Sequence, residues 1–256
     1  MVEAHGTSIA VMRIGVLSDI HGNLVALEAV VADLGAQSPD EIWCGGDLAW
    51  GGPWGRECIE LVRSEGWVTV KGNTDVWVTG DPQTIEDPQD RAALVAVAEA
   101  HDIPDDLSQW LANLPLGHSA PGSILLVHGT PESPFVAPPP DAAAAEFAPY
   151  EGKARVVVYG HVHVVFIRHL AGGTLVCNTG SVGMPKDSDL AAYLLIDVEG
   201  ADLTLTHRRV PYDRAAAVDG ARRLGGPIEE IFCRWVRPEG GGRGTSEAPW
   251  RRGSPG

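Results

Sequence analysis

At 256 residues, 44% apolar and 21% charged, the chain has an ordinary globular composition and room for one large domain or two small ones. Its net charge of −15 and pI near 4.9 argue against a coat for long nucleic acid, whose affinity comes from Lys and Arg on phosphates. They leave room for a small phosphorylated ligand met by a local cluster of cations.

Residues 1–11 read as a flexible leader with no signal-peptide pattern. "MRIGVLSD" (Met12–Asp19) is a buried strand running into a loop. "NLVALEAVVADL" (Asn23–Leu34) has helical apolar spacing, with Asn23 as N-cap and Gly35 as C-cap. "EIWCGGD" (Glu41–Asp47) reads as strand then loop, "GRECIELVRSEG" (Gly55–Gly66) as helix, and "WVTVKGN" (Trp67–Asn73) as a strand ending in a glycine turn. Strand–loop–helix repeats of this kind imply parallel strands with right-handed crossovers.

From Gln89 to Leu114 the pattern is helical in two pieces, broken at Pro104. "SILLVHG" (Ser123–Gly129) is again a strand. "TPESPFVAPPP" (Thr130–Pro140) holds five prolines in eleven residues, so it is a lid or a rigid rim and not regular structure. "KARVVVYG" is a strand ending at Gly160. Further strands are predicted over Val164–His169, Thr174–Cys177, Ala191–Val198 and Leu203–Val210, and a closing helix over Tyr212–Leu224. The pattern gives a parallel half, an antiparallel half and one domain over 12–237. The Gly- and Pro-rich stretch over 238–256 is predicted to be disordered. Cys44, Cys58, Cys177 and Cys233 form no CxxC pair, and free thiols point to a reducing cytoplasm. No apolar run reaches the length of a membrane span, so no membrane partner is expected.

The chemistry lies where the strands end. The first ends in "SDIHGN", with Asp19 and His21; the second in "CGGD", with Asp47; the third in "KGNTD", with Asn73 and Asp75. "VHG" places His128 after the next, and "GHVH" places His161 and His163 after Gly160. Two histidines one residue apart in an extended loop can reach one metal or two adjacent ones. A single Asp after a strand is commonly a helix cap, but five successive strand ends carrying O or N donors beside glycine form a pattern.

D-x-H, GD, GN, H-G and G-H-x-H, in this order, resemble the calcineurin-like metallophosphoesterase family. The resemblance runs from Asp19 through His163 and extends to "NTGSVGMP" (Asn178–Pro185), which looks like the supporting loop of its small prokaryotic phosphodiesterase branch. It implies an α/β fold, a four-layer sandwich of two mixed β-sheets flanked by helices. It implies that Asp19, His21 and His163 bind one divalent metal, that Asn73, His128 and His161 bind a second, and that Asp47 bridges them. A metal-bridging hydroxide would then attack a phosphate ester. Asp47, Asn73, His128 and Asp75 make up the catalytic set. Manganese is the first expectation for both ions, with Fe, Zn, Co or Ni also suited to carboxylate, amide and imidazole donors without thiolate.

One position departs from the family pattern. Many members carry His after the metal-binding Asn, as the acid that protonates the leaving group; here it is Thr74, a poor acid near pH 7. Asp75 either orients the site or caps its loop. Trp50, Trp54 and Trp77 either pack the loops or stack on a nucleobase of the substrate. Lys71, Lys186 and Arg56 are candidate phosphate contacts or plain surface cations. His101, His118 and His169 have no ligand context. The expected function is phosphodiester hydrolysis, with phosphoanhydride hydrolysis or phosphatase activity as the alternative. A non-catalytic scaffold of the same fold is the third possibility.

Overall fold

The structure is a computed structural model that describes residues 11–80, 88–120 and 122–238. Of the leader, only Val11 is described, and it already belongs to the first strand; all of the tail beyond Pro238 lies outside the described residues.

The elements run β1 (Val11–Leu17), α1 (Leu24–Gln37), β2 (Glu41–Cys44), α2 (Gly55–Ser64), β3 (Val68–Thr69), α3 (Asn73–Thr79), α4 (Pro88–His101) and α5 (Asp105–Ala112). Then follow β4 (Gly117–Ala120), β5 (Ile124–Val127), a 3-10 helix (Ala144–Tyr150), β6 (Val156–Tyr159), β7 (Phe166–His169), β8 (Leu175–Asn178), β9 (Ala191–Glu199) and β10 (Asp202–Val210). α6 (Arg214–Leu224) and α7 (Gly226–Trp235) close the order.

Two five-stranded sheets form, ordered β10-β9-β1-β2-β3 and β4-β5-β6-β8-β7. Each is mixed. β1, β2 and β3 are parallel, and so are β5, β6 and β8, while β9, β10, β4 and β7 join antiparallel. The expected division into a parallel and an antiparallel half of the chain is therefore corrected. Each sheet keeps its own set of parallel strands, because β9 returns beside β1 and β4 beside β5.

The two-residue period of the strands sorts side chains to opposite faces. Ile14 and Val16 of β1, Leu194 and Ile196 of β9, Ile124 and Leu126 of β5, and Val156 and Val158 of β6 meet between the sheets. Leu17, Tyr193 and Leu195 point the other way, onto Leu27, Val30 and Leu34 of α1 and Cys58, Ile59 and Val62 of α2. Those helix residues recur at spacings of three and four, the signature of one buried face. Each such aliphatic side chain is worth roughly 1.5–3 kcal/mol when taken out of water. On the far side, Val157 and Tyr159 pack under Phe147 and Tyr150 of the 3-10 helix. The fourth layer is thus a 3-10 helix and the proline-rich segment rather than an α-helix.

Some boundaries differ from expectation. Asn23 does cap α1, its Oδ1 accepting from Ala26 N at 3.2 Å, but the helix runs past Gly35 and ends at Ser38 in the left-handed region. Pro39 bars Ser38 from another right-handed turn. The strand expected over Trp67–Asn73 shrinks to β3, because Asn73 opens α3 with Asp75 at its third position. β4, the 3-10 helix and α7 were not expected from the sequence.

Candidate metal centre

Asp19, His21, Asp47, Asn73, His128, His161 and His163 all lie at the carboxyl ends of β1, β2, β3, β5 and β6, where the two sheets' parallel strands converge. None is more than 9% exposed, so water competes little with whatever they bind. Five of the seven hold a left-handed backbone: Asp19, His21, Asp47, His161 and His163 have φ between 50° and 65°. Among the described residues only three other non-glycine residues do so. Strain of this kind persists where surrounding structure enforces it, and it clusters at functional sites.

The enforcing contacts are visible. Asp19 N donates to the Gly46 carbonyl and His21 N to the Asp47 carbonyl, tying the first loop to the second. His161 N donates to Asp19 Oδ1 at 3.0 Å. Ser181 Oγ donates to the Asp19 carbonyl and accepts from Met184 N, so the loop over 178–185 braces the first ligand loop. Glycines supply clearance: a Cβ at Gly183 would strike the Ile20 carbonyl, and one at Gly72 would fall on Asp47 Oδ1.

Three rings are aimed by backbone carbonyls. His21 Nδ1 donates to Trp50 O at 2.9 Å, His128 Nδ1 to Gly45 O at 2.7 Å and His163 Nδ1 to Met184 O at 2.8 Å. Each therefore turns Nε2 inward, the arrangement that fixes the tautomer of a metal-ligating histidine. His21 Nε2 lies 3.1 Å from His163 Nε2, and His163 Nε2 lies 3.1 Å from Asp19 Oδ1. On the other side, Asn73 Oδ1 sits 3.0 Å from His128 Nε2 and 2.8 Å from His161 Nδ1. Asp47 stands between: its Oδ2 is 3.6 Å from His21 Nε2 and 3.4 Å from His128 Nε2, while its Oδ1 accepts from Thr74 N at 2.9 Å. Asp19, His21 and His163 can hold one ion, and Asp19, Asp47 and His128 converge as a second group.

The electrostatics follow from this crowding. Burial and then the charge of His163 push His21 down to about 4. Burial and then His128 push His161 down to about 3. For His128, burial works toward the neutral ring, but Asp47 and Asp19 outweigh it and raise the ring to about 10. Burial also opposes ionisation of Asp47, yet the histidines around it hold the carboxyl well below the usual range. Neutral His21 and His161 thus bring ring nitrogens together with carboxylate and amide oxygens, while the proton that Asp47 and Asp19 favour on His128 is one that a bound cation would displace. Such a donor set fits divalent cations, and thiolate is absent from it.

A model of the calcineurin-like phosphoesterase superfamily domain matches residues 12–201. The chain belongs to that superfamily. MJ0912 of Methanocaldococcus jannaschii is 29% identical over 220 residues, covering 78% of this chain and 88% of that protein. The metallophosphoesterase from Sphaerobacter thermophilus is 30% identical, with a TM-score of 0.69, 86% of this chain covered and 98% of that one. PH1004 of Pyrococcus horikoshii OT3, at 20% identity, shares the fold with a TM-score of 0.72 over 86% of this chain and 97% of its own. The superfamily is metal-dependent, and the Asp/His clusters of this phosphoesterase answer that requirement.

Around the centre the phosphoesterase domain sorts the remaining candidates. Asp75 does not face the ligands. Its Oδ2 accepts from Asp47 N and Gly72 N and its Oδ1 from Leu48 N, so it is a positioning residue, a loop cap that holds the Asp47 and Asn73 loops together. Burial and Asp47 raise its carboxyl to about 6. Thr74 is buried, and its hydroxyl has no hydrogen-bond partner. Trp50 meets Trp77 edge to face at 5.7 Å, and Trp77 meets the half-exposed Phe135 at 6.5 Å. An aromatic wall therefore runs from His21 out to the proline-rich rim. Trp54 is not part of it and lies on Gly220 of α6. Lys71 Nζ donates to Ala112 O, and Arg56 pairs with Glu60, so neither faces the centre. Lys186 lies within electrostatic reach of Asp19. His118 meets Trp43 edge to face at 5.0 Å, His169 is exposed and His101 is buried. The sequence reading missed Phe135 and the carbonyls of Trp50 and Met184. A backbone acceptor leaves no mark on residue type, so only the fold reveals it.

Among the described residues no helix is long and apolar enough to cross a membrane.

Proposed function

We propose that this chain is a dinuclear metal-dependent phosphoesterase acting on small phosphodiesters. The observation that carries the reading is Asp47 Oδ2, set 3.6 Å from His21 Nε2 and 3.4 Å from His128 Nε2 while Thr74 N holds the other oxygen. Asp19, His21 and His163 would hold one ion, and Asn73, His128 and His161 the other, with Asp47 shared. Manganese is the first choice, and Fe, Zn, Co or Ni suit the same donors. Two such cations would neutralise phosphoryl charge and acidify water for attack on phosphorus. The chain's own part is placement. Buried, carbonyl-aimed rings fix where that charge sits, and fixed charge needs no reorganisation during the reaction. Asp75 keeps the Asp47 loop in register, and the wall of Trp50, Trp77 and Phe135 favours a substrate with a planar organic group, a nucleotide above all. Free cysteines support a cytoplasmic location.

Phosphoanhydride hydrolysis is the second reading, favoured by Thr74. A site without an acid at that position suits leaving groups that depart unprotonated. The deciding experiment is turnover of Mn²⁺-reconstituted protein on bis-p-nitrophenyl phosphate, p-nitrophenyl phosphate and diadenosine tetraphosphate. Faster diester cleavage supports the first reading, and preference for the dinucleotide supports the second. Asp47→Ala should abolish turnover and lower metal content from two ions toward one or none. No turnover on any substrate by a protein holding two ions would leave a scaffold.

A further inference from the structure

α6 and α7 lie beyond the segment matched to the superfamily, and their buried faces close over two residues of the metal loops. Ala217, Val218 and Ala221 of α6 and Ile228 and Phe232 of α7 form one apolar cluster with Met184, and Trp50 and Ile231 pack against it. At Gly51 the backbone passes so near that an added Cβ would meet Met184 Cε at 2.7 Å and Ile231 Cγ2 at 3.5 Å. Trp50 and Met184 are the residues whose carbonyls accept the Nδ1 protons of His21 and His163. A second tie runs the same way: Lys186 N donates to the His163 carbonyl at 3.0 Å, and Lys186 Nζ stands 5.4 Å over the ring of Trp235 in α7.

We infer that the α6–α7 hairpin is a positioning element for one half of the metal centre. Through the packing of Trp50 and Met184 it sets the carbonyls that aim His21 and His163. The other half is built differently. His128 is aimed by Gly45 O at the end of β2, and Asn73 by the start of α3, outside that apolar cluster. The hairpin therefore acts selectively on the ion held by Asp19, His21 and His163. Partners that orient ligating histidines commonly matter 10–100-fold in metal affinity.

The inference rests on the dinuclear reading, and its test separates the two. Full-length, metal-free protein is titrated with Mn²⁺ by calorimetry as wild type, Ile231→Ala, Phe232→Ala and Phe232→Leu. His21→Ala marks which binding constant belongs to the His21–His163 pair. In Ile231→Ala and Phe232→Ala that constant should weaken about tenfold, with the other within about twofold and Phe232→Leu close to wild type. Both constants unchanged in folded Ile231→Ala would overturn the inference. So would equal weakening of both together with a lower melting temperature, which marks general loosening. Wild type that binds fewer than two ions overturns the dinuclear reading itself.

Discussion

His21 Nε2 and His163 Nε2 face each other at 3.1 Å, and each ring spends its Nδ1 proton on a backbone carbonyl. Burial keeps His21 neutral, with its pKa near 4, so no proton on that ring relieves the contact at pH 7. A cation between the two nitrogens and Asp19 would let all three coordinate it at once. Metal-free protein should therefore be measurably less stable than loaded protein. At 100 times its dissociation constant, one ion adds about 2.7 kcal/mol. For a domain of this size that is a rise of roughly 5–10 °C in the melting midpoint. Differential scanning calorimetry with and without Mn²⁺ after chelator treatment reads it directly, and an unchanged midpoint would remove the metal assignment.

Asp75 should behave as a brace and not as a proton carrier. Its Oδ2 accepts two backbone N–H groups, and Asp75→Asn either replaces that oxygen by an NH₂ donor or leaves Leu48 N facing one. One or two buried amides then lose their acceptor, at roughly 1–3 kcal/mol each. The amide settles with its NH₂ toward Leu48 N, the orientation that releases one amide instead of two, so the expected result is a loss of roughly 1–3 kcal/mol in urea unfolding, together with weaker metal binding, because Leu48 follows Asp47 in that loop. A variant with wild-type stability and metal content would show that the Asp47 loop needs no brace.

The candidate metal-binding pattern is legible before any fold is known because its chemistry resides in side chains. Asp19, His21, Asp47, Asn73, His128, His161 and His163 each follow an apolar strand, and parallel strands bring their ends together. The holders of those residues could not be read so. Gly45, Trp50 and Met184 act through carbonyls that every residue owns. α3 leaves little signal in the sequence because the short strand before it and the GN turn mask its cap, although Asp75 three residues after Gly72 is an N-terminal helix signal. Of the two roles open to Arg56, phosphate contact or surface cation, the structure favours the second, because α2 turns it outward onto Glu60 at a spacing helices favour. Phe135 was hidden in a proline-rich run whose path only tertiary packing sets.

Thr74 separates two accounts of the leaving-group step. Its backbone N–H serves Asp47 Oδ1, while its hydroxyl is buried and unpartnered. A hydroxyl in that state costs about 1–3 kcal/mol relative to a paired one, and replacement by an isosteric methyl is near neutral or stabilising. Thr74→Val should keep the fold and most of the turnover, since the backbone bond survives. Wild type and Thr74→Val should show the same steep fall in rate as the leaving-group pKa rises across a series of aryl phosphodiesters. A rate lost selectively on poor leaving groups in Thr74→Val would make the hydroxyl a proton donor.

His101, at the end of α4, gives a pH dependence that does not involve the metal ligands. It is 5% exposed, lies against Gly55 at the start of α2, and its Nε2 has no hydrogen-bond partner. Burial lowers its pKa from 6.5 to about 4, with a backbone bond to Gly52 opposing the shift. A base depressed on folding binds its proton more tightly in the unfolded chain. Its contribution is therefore complete above pH 6.5 and is lost as pH falls toward 4. With 1.36 kcal/mol per unit, wild type should lose about 2 kcal/mol between pH 7 and pH 5 on account of this ring. His101→Leu keeps the site apolar and removes the titration. Urea unfolding of both proteins at pH 7 and pH 5 should show the stability difference between them moving by about that amount in favour of the variant. Parallel pH profiles would mean that the imidazole is as readily protonated in the folded protein as in the unfolded chain.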